Sequence, residues 1–192
     1  MTQLDNTFAL EQGNKITTSL RYAYAKAEGD SEDLVKTHGW PDGESNLITG
    51  SLTYHTSWGS LGFSVGYLDH KSMGQVFDSD LGYPFALSID RNMEDMMAYQ
   101  LSANFKLPHD FSFSIAPIYT NGYEDASKQV SVEGYDLNVS VAYMPKSGPL
   151  AGLRAYIAAD RGFEDRPGSV YGDRLNYWDI KMSIQYDINF LN

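Results

Sequence analysis

Along most of this chain apolar and polar residues alternate one by one. The clearest run, Tyr177 to Phe190, puts Trp178, Ile180, Met182, Ile184, Tyr186, Ile188 and Phe190 on one side. Asp179, Lys181, Ser183, Gln185, Asp187 and Asn189 fall on the other. That two-residue period belongs to a β-strand with one apolar and one wet face. Read the same way, Lys15–Lys26, Asn46–His55, Leu61–His70, Asp95–Leu107, Phe111–Thr120, Gly134–Met144 and Ala151–Asp160 are predicted strands, so eight are expected in all. Residues 1–13 show no clear period and are expected to be a lead-in, with the strands and their loops filling 14–192. Pro117 lies inside the fifth run, where a missing N–H predicts a bulge or an early end.

Strand length and loop placement give the alternation a membrane context. A tilted bilayer-crossing strand needs about 9 to 11 residues, whereas strands of soluble domains cluster near five or six. Aromatic residues gather toward the ends of the last strand, Tyr177 and Trp178 at its start and Tyr186 and Phe190 at its finish. Connections alternate between long (27–45, 71–94, 121–133, 161–176) and short (56–60, 108–110, 145–150). Outer-membrane barrels show the same features: aromatic girdles, short periplasmic turns and long extracellular loops. The mid-strand charges Arg21, Lys106, Asp136, Arg154, Asp179, Lys181 and Asp187 all oppose the aromatic side, as does Tyr156. These eight residues are the expected lumen lining.

The fold class expected is an all-β, antiparallel transmembrane β-barrel. Alternation alone also suits a soluble ligand-binding barrel with its apolar face turned inward. A compact eight-stranded membrane anchor or adhesin is a further alternative, but its interior must be filled by side chains. The wet face here is mostly Ser, Thr, Ala, Gly and Asn, small enough to line a water-filled lumen, and such lumens belong to barrels of about 16 or more strands. The expectation is therefore a fragment of a larger porin.

Composition narrows the function. The 192 residues contain no cysteine and carry a net charge of −11, and the segments 27–46, 72–95, 123–134 and 161–176 at the long connections hold that whole excess. An acidic rim steers cationic solutes, or binds divalent ions that bridge it to lipopolysaccharide phosphates, or only keeps an exposed surface solvated. Net negative charge argues against a nucleic-acid partner. The histidines His38, His55, His70 and His109 are scattered, and no catalytic or phosphate-loop motif is present. Asp69 and His70 are adjacent on a strand and point to opposite faces, a poor dyad. No catalytic residue, metal site or cofactor is expected, and the protein is not expected to be an enzyme. The amino terminus lacks the basic and apolar regions of a signal peptide, which suggests a mature or engineered chain or a piece of a longer one.

From Val141 to Phe190 the chain reads as a Tyr-ended strand, the turn PKSGPLAGLRAY with Gly148, Leu150, Gly152, Leu153 and Arg154, a charged loop, and NYWDIKMSIQYDINF. This stretch resembles the carboxyl-terminal end of OprD-like outer-membrane porins. The resemblance implies a barrel of about 18 strands, an outer-membrane location in a Gram-negative envelope, and passive, substrate-selective diffusion of small solutes. It also implies contact with outer-membrane lipid and lipopolysaccharide. Tyr186, Ile188 and Phe190 resemble the terminal signal read by the barrel assembly machinery, from which the trailing Leu191 and Asn192 depart.

Overall fold

The computed structural model describes residues 2–26, 44–69, 93–124, 127–170 and 172–186. Nine strands follow one another: β1 (Thr2–Ala9), β2 (Lys15–Lys26), β3 (Glu44–His55), β4 (Gly59–Leu68), β5 (Glu94–Lys106), β6 (Phe111–Tyr123), β7 (Ser131–Tyr143), β8 (Leu153–Asp165) and β9 (Arg174–Tyr186). They form a single antiparallel sheet in sequence order, each strand paired with the next. Strands β5 to β9 have 13 residues each. At about 3.3 Å per residue and a tilt near 45°, that spans about 30 Å, the thickness of a bilayer core.

Long and short connections fall at opposite ends of the sheet. The β5–β6 hairpin closes with Leu107 N–H donating to the Phe111 carbonyl (2.9 Å). His109 and Asp110 both take a left-handed φ of 62° to make that turn. At the β3–β4 turn Thr56 N–H donates to Gly59 O (2.8 Å). Most of the two longest expected loops, 27–45 and 71–94, lies outside the described residues, while Glu44, Ser45 and Glu94 belong to β3 and β5. Residues 187–192, which include Asp187, Ile188 and Phe190, also lie outside the described residues.

The sheet departs from the sequence expectation in three places. Residues expected as a lead-in form β1, paired in register from Thr2↔Tyr22 to Ala9↔Lys15. Polar Thr2 and Asn6 interrupt the apolar side that Leu4 and Phe8 continue, which hides the period. The strand count is thus nine. Pro117 neither bulges nor ends β6: it pairs with Leu137 of β7. On its other side the β5–β6 ladder passes from Gln100↔Ile118 to Ala103↔Ile115, omitting the two pairs of Pro117 and Ala116 but keeping its register. A proline N that faces an interrupted ladder leaves no donor unsatisfied. The irregularity in β5 lies instead between Glu94 and Met97, where Asp95 has a φ of 49°. Finally, β8 and β9 run past Asp160 and start before Tyr177, taking up residues expected in the 161–176 loop.

Candidate functional site: the two faces of the wall

The cross-strand register sorts every side chain onto one of two faces. The row Ile16↔Tyr54↔Leu61↔Ala103↔Ile115↔Val139↔Ala159↔Ile180 is apolar throughout. Its face is also the exposed one, with Leu20 54%, Leu101 60%, Met182 76% and Ile184 81% accessible. A soluble barrel with an apolar interior would bury these residues. The exposure pattern therefore rules out the inward-facing alternative for this sheet.

Two aromatic rows bound the apolar face. Toward the long connections Tyr99, Tyr119, Tyr135 and Phe163 stack in succession, with centroids 6.2, 5.0 and 4.9 Å apart. Toward the short turns Trp58 stacks on Phe105 and Phe105 on Phe113, while Phe111 meets Tyr143. Such rows match the interfacial girdles of membrane barrels. Above the first row, the same face turns ionic. Arg174 lies 4.3 Å over the Phe163 ring and 3.4 Å from Asp165. Lys128 pairs with Asp95, whose carboxylate holds the ammonium above the usual lysine range. Arg161 also stands on this face, because β8 continues beyond Asp160. The expectation that every strand charge avoids the aromatic side therefore fails at Arg161 within β8 and at the long-connection ends of β5, β7, β8 and β9.

The opposite face carries all the expected lumen residues that lie within the described chain. Arg21 opposes Thr49, Lys106 opposes Ser112, Arg154 opposes Gln185, Tyr156 opposes Ser183, and Asp179 opposes Asp160. Lys181 sits 3.5 Å from Asp179, so these two pair with each other. Asp136 is 5% exposed and accepts a hydrogen bond from the Tyr177 hydroxyl. That bond passes over Gly162, the residue between them in the ladder. Any Cβ there would collide with both the Asp136 carboxylate and the Tyr177 hydroxyl. Asp160, likewise buried, accepts from Asn138.

Near the long connections a clamp fixes the wall. Arg166 donates to Glu164 from Nε (3.0 Å) and NH2 (2.5 Å), and lies 3.7 Å from Glu124, which also accepts from the Ser169 hydroxyl (2.5 Å). Both donors converge on one carboxylate oxygen, Oε2, in a charge-assisted contact stronger than a neutral hydrogen bond. Here too the inner face turns apolar, with Ala23, Leu47, Leu68, Met93, Met96 and Val132 buried together. At the short-turn end it instead forms a groove of about 370 Å³ lined by Lys15, His55, Ser60, Asn104, Lys106 and Ser112. There the Thr17 hydroxyl meets His55 Nε2 at 2.9 Å. Acids thus concentrate toward one end of the inner wall and bases toward the other, with Arg21 and Arg166 as exceptions. The sequence reading placed Asp160 on the wet face without counting it among the lumen residues, and read Gly162, Glu164 and Arg166 as loop. A glycine between charged residues in a supposed loop was the available signal, since strand glycines mark close approaches.

No family model matches the sequence. The membrane-associated protein UidC of Escherichia coli (strain K12) is 43% identical over 184 residues, covering 96% of this chain and 42% of UidC. OccAB1 of Acinetobacter baumannii superposes with a TM-score of 0.67 at 13% identity, over 96% of this chain and 50% of that one. OpdK of Pseudomonas aeruginosa, solved with vanillate, gives 0.67 at 10%, over 96% and 47%. The chain spans about half the length of these relatives. Its fold is that of OprD-like porin walls, as the carboxyl-terminal resemblance implies.

Proposed function

We propose that this chain forms about half the wall of a water-filled outer-membrane channel through which small solutes diffuse passively. The observation that carries this reading is that the apolar face is the exposed one on strand after strand, while the charged face is turned away from it. Strand parity supports a larger ring. In an antiparallel meander of nine, β1 and β9 run in the same direction and cannot pair antiparallel with each other. The compact eight-stranded barrel is therefore not what this sheet builds. Two copies related by rotation about the barrel axis would also meet in parallel. A further odd number of strands in the same meander closes the ring with every junction antiparallel, and lipid demands such closure.

Within the channel, opposed charges on the inner wall screen solutes by charge and dipole. Arg21, Lys106, Arg154 and Lys181 oppose Asp136 and Asp179, with Tyr156 beside them. The acidic loops add cation steering at the outer mouth. Outer-membrane lipid surrounds the apolar face, and Tyr186 with Ile188 and Phe190 serves as the assembly signal.

Planar-bilayer recording on the full-length chain tests this. Stepwise, ohmic conductance is expected, and its absence refutes the channel. Neutralising Arg154→Gln and Lys181→Gln together removes two inner positive charges and unmasks Asp179, so the reversal potential moves toward cation selectivity. An unchanged reversal potential removes both residues from the pathway.

A further inference from the structure

Arg161 stands on the lipid-facing side of β8, opposite Leu137 of β7 and Trp178 of β9. Ala159 and Phe163 flank it along the strand on the same face. Leu137 is 41% and Trp178 69% exposed, so the surroundings of this guanidinium are open apolar wall rather than lumen. Arg161 is itself exposed, and among the described residues it has no hydrogen-bond or ion-pair partner. A guanidinium does not deprotonate in a protein, so this charge must be met from outside.

Its depth is set by its neighbours. The stacked row ending at Phe163 marks the long-connection boundary of the apolar face. Arg161 lies one cross-strand row to the hydrocarbon side of it, level with Leu137 and Trp178, and a guanidinium that close to the boundary reaches headgroup level along its own side chain, where a lipid-face charge is tolerated. Further donors lie beside it on β9: Asn176 opposite Phe163, the Trp178 indole, and Arg174 over the Phe163 ring. The acids on this part of the face are Asp165 and Glu133. Asp165 is engaged by Arg174, and Glu133 accepts from the Tyr135 hydroxyl (3.4 Å).

We propose that Arg161, with Asn176 and Arg174, holds the phosphate of a phosphorylated glycolipid headgroup in the outer leaflet. The planar guanidinium fork matches phosphate oxygens in pairs, and the Trp178 ring lies against the headgroup–acyl boundary, as interfacial tryptophans do. A lipid is the occupant rather than free phosphate, because the approach to Arg161 runs over Leu137 and Trp178. The proposal rests on the membrane-spanning reading above and on the long connections being extracellular.

The test is native mass spectrometry of the full-length protein in detergent, titrated with bisphosphorylated lipid A, with heat-modifiable gel migration confirming the fold. Wild type is expected to retain lipid A, and Arg161→Gln to weaken it about tenfold or more, the scale of a charge-assisted bidentate contact. Dephosphorylated lipid A should bind wild type no better than lipid A binds the variant, and millimolar inorganic phosphate should not displace it. Arg161→Lys, which keeps the charge and loses the fork, should fall between, and it replaces the Gln variant if that one does not fold. Equal lipid A binding by wild type and variant overturns the site. Equal binding of the dephosphorylated lipid, or displacement by inorganic phosphate, overturns the phosphorylated lipid as its ligand. Wild-type conductance in lipid-A-free bilayers is recorded alongside; its loss would count against the channel and leave the lipid result standing.

Discussion

The Tyr177–Asp136 bond over Gly162 allows a test of the inner wall in which two different substitutions break one interaction. A Cβ at residue 162 would collide with both bonded groups, so Gly162→Ala must push them apart. Asp136 is only 5% exposed, so the displaced carboxylate gains little solvation in return. A hydrogen bond to a charged group contributes about 1.5–3 kcal/mol net. Replacing a strand glycine by alanine returns about 0.5–1 kcal/mol of backbone entropy. Gly162→Ala should therefore cost about 0.5–2.5 kcal/mol, and Tyr177→Phe about 1.5–3 kcal/mol. In the double variant the bond is already gone and only the contact of the new methyl with the Asp136 carboxylate and the ring carbon Cζ remains, so Gly162→Ala should cost less there than in wild type. The assay is urea unfolding from phospholipid vesicles followed by tryptophan fluorescence, with Trp58 and Trp178 both on the wall. A neutral or stabilising Gly162→Ala, or strictly additive costs, would refute the account of Gly162 as a close-approach position.

Adjacent residues of β9 test the assignment of faces. Met182→Arg places a charge on the exposed apolar side and should cost about 2–4 kcal/mol of stability in vesicles, while Ser183→Arg on the inner side is tolerated; equal effects would mean that the faces are misassigned. Pro117→Ala restores an N–H toward the interrupted β5–β6 ladder, so stability should be unchanged or rise by up to about 1 kcal/mol. A clear loss in the same unfolding assay would show that β6 needs its proline.

Much of the fold was legible because one of its faces obeys a simple rule. Lipid accepts only apolar side chains at mid-depth, so the outer positions of β2 to β9 alternate almost without fault. Lys15–Lys26 can be bounded to the residue on that pattern. The rule weakens where strands leave hydrocarbon. Arg161, Glu164, Asp165 and Arg174 are strand residues in headgroup or lumen surroundings, and their charges read as loop. β1 escaped notice because Thr2 and Asn6 occupy outer positions, and because a strand that gets its stability from pairing with β2 needs little propensity of its own. Pro117 misled for the opposite reason: a local rule about donors was applied without knowing which neighbour the missing N–H would face.

The inner face has no comparable rule, and function depends on it. A lumen residue is constrained by partners on other strands, 22 positions away for Asn138 and Asp160 and 41 for Asp136 and Tyr177. No local period records such pairings. Sequence therefore places Asp136 and Asp179 on the right side of the wall without showing that the first is buried under a tyrosine and the second tied to Lys181. That difference bears on conduction. On the proposed channel reading, a charge held inside the wall by a hydrogen bond would shape the field of the lumen while leaving its bore free, whereas an exposed one such as Arg154 would stand in the solute's path. Selectivity of the closed ring should thus respond more to Arg154 and Lys181 than to Asp136, whose removal should be felt first as lost stability.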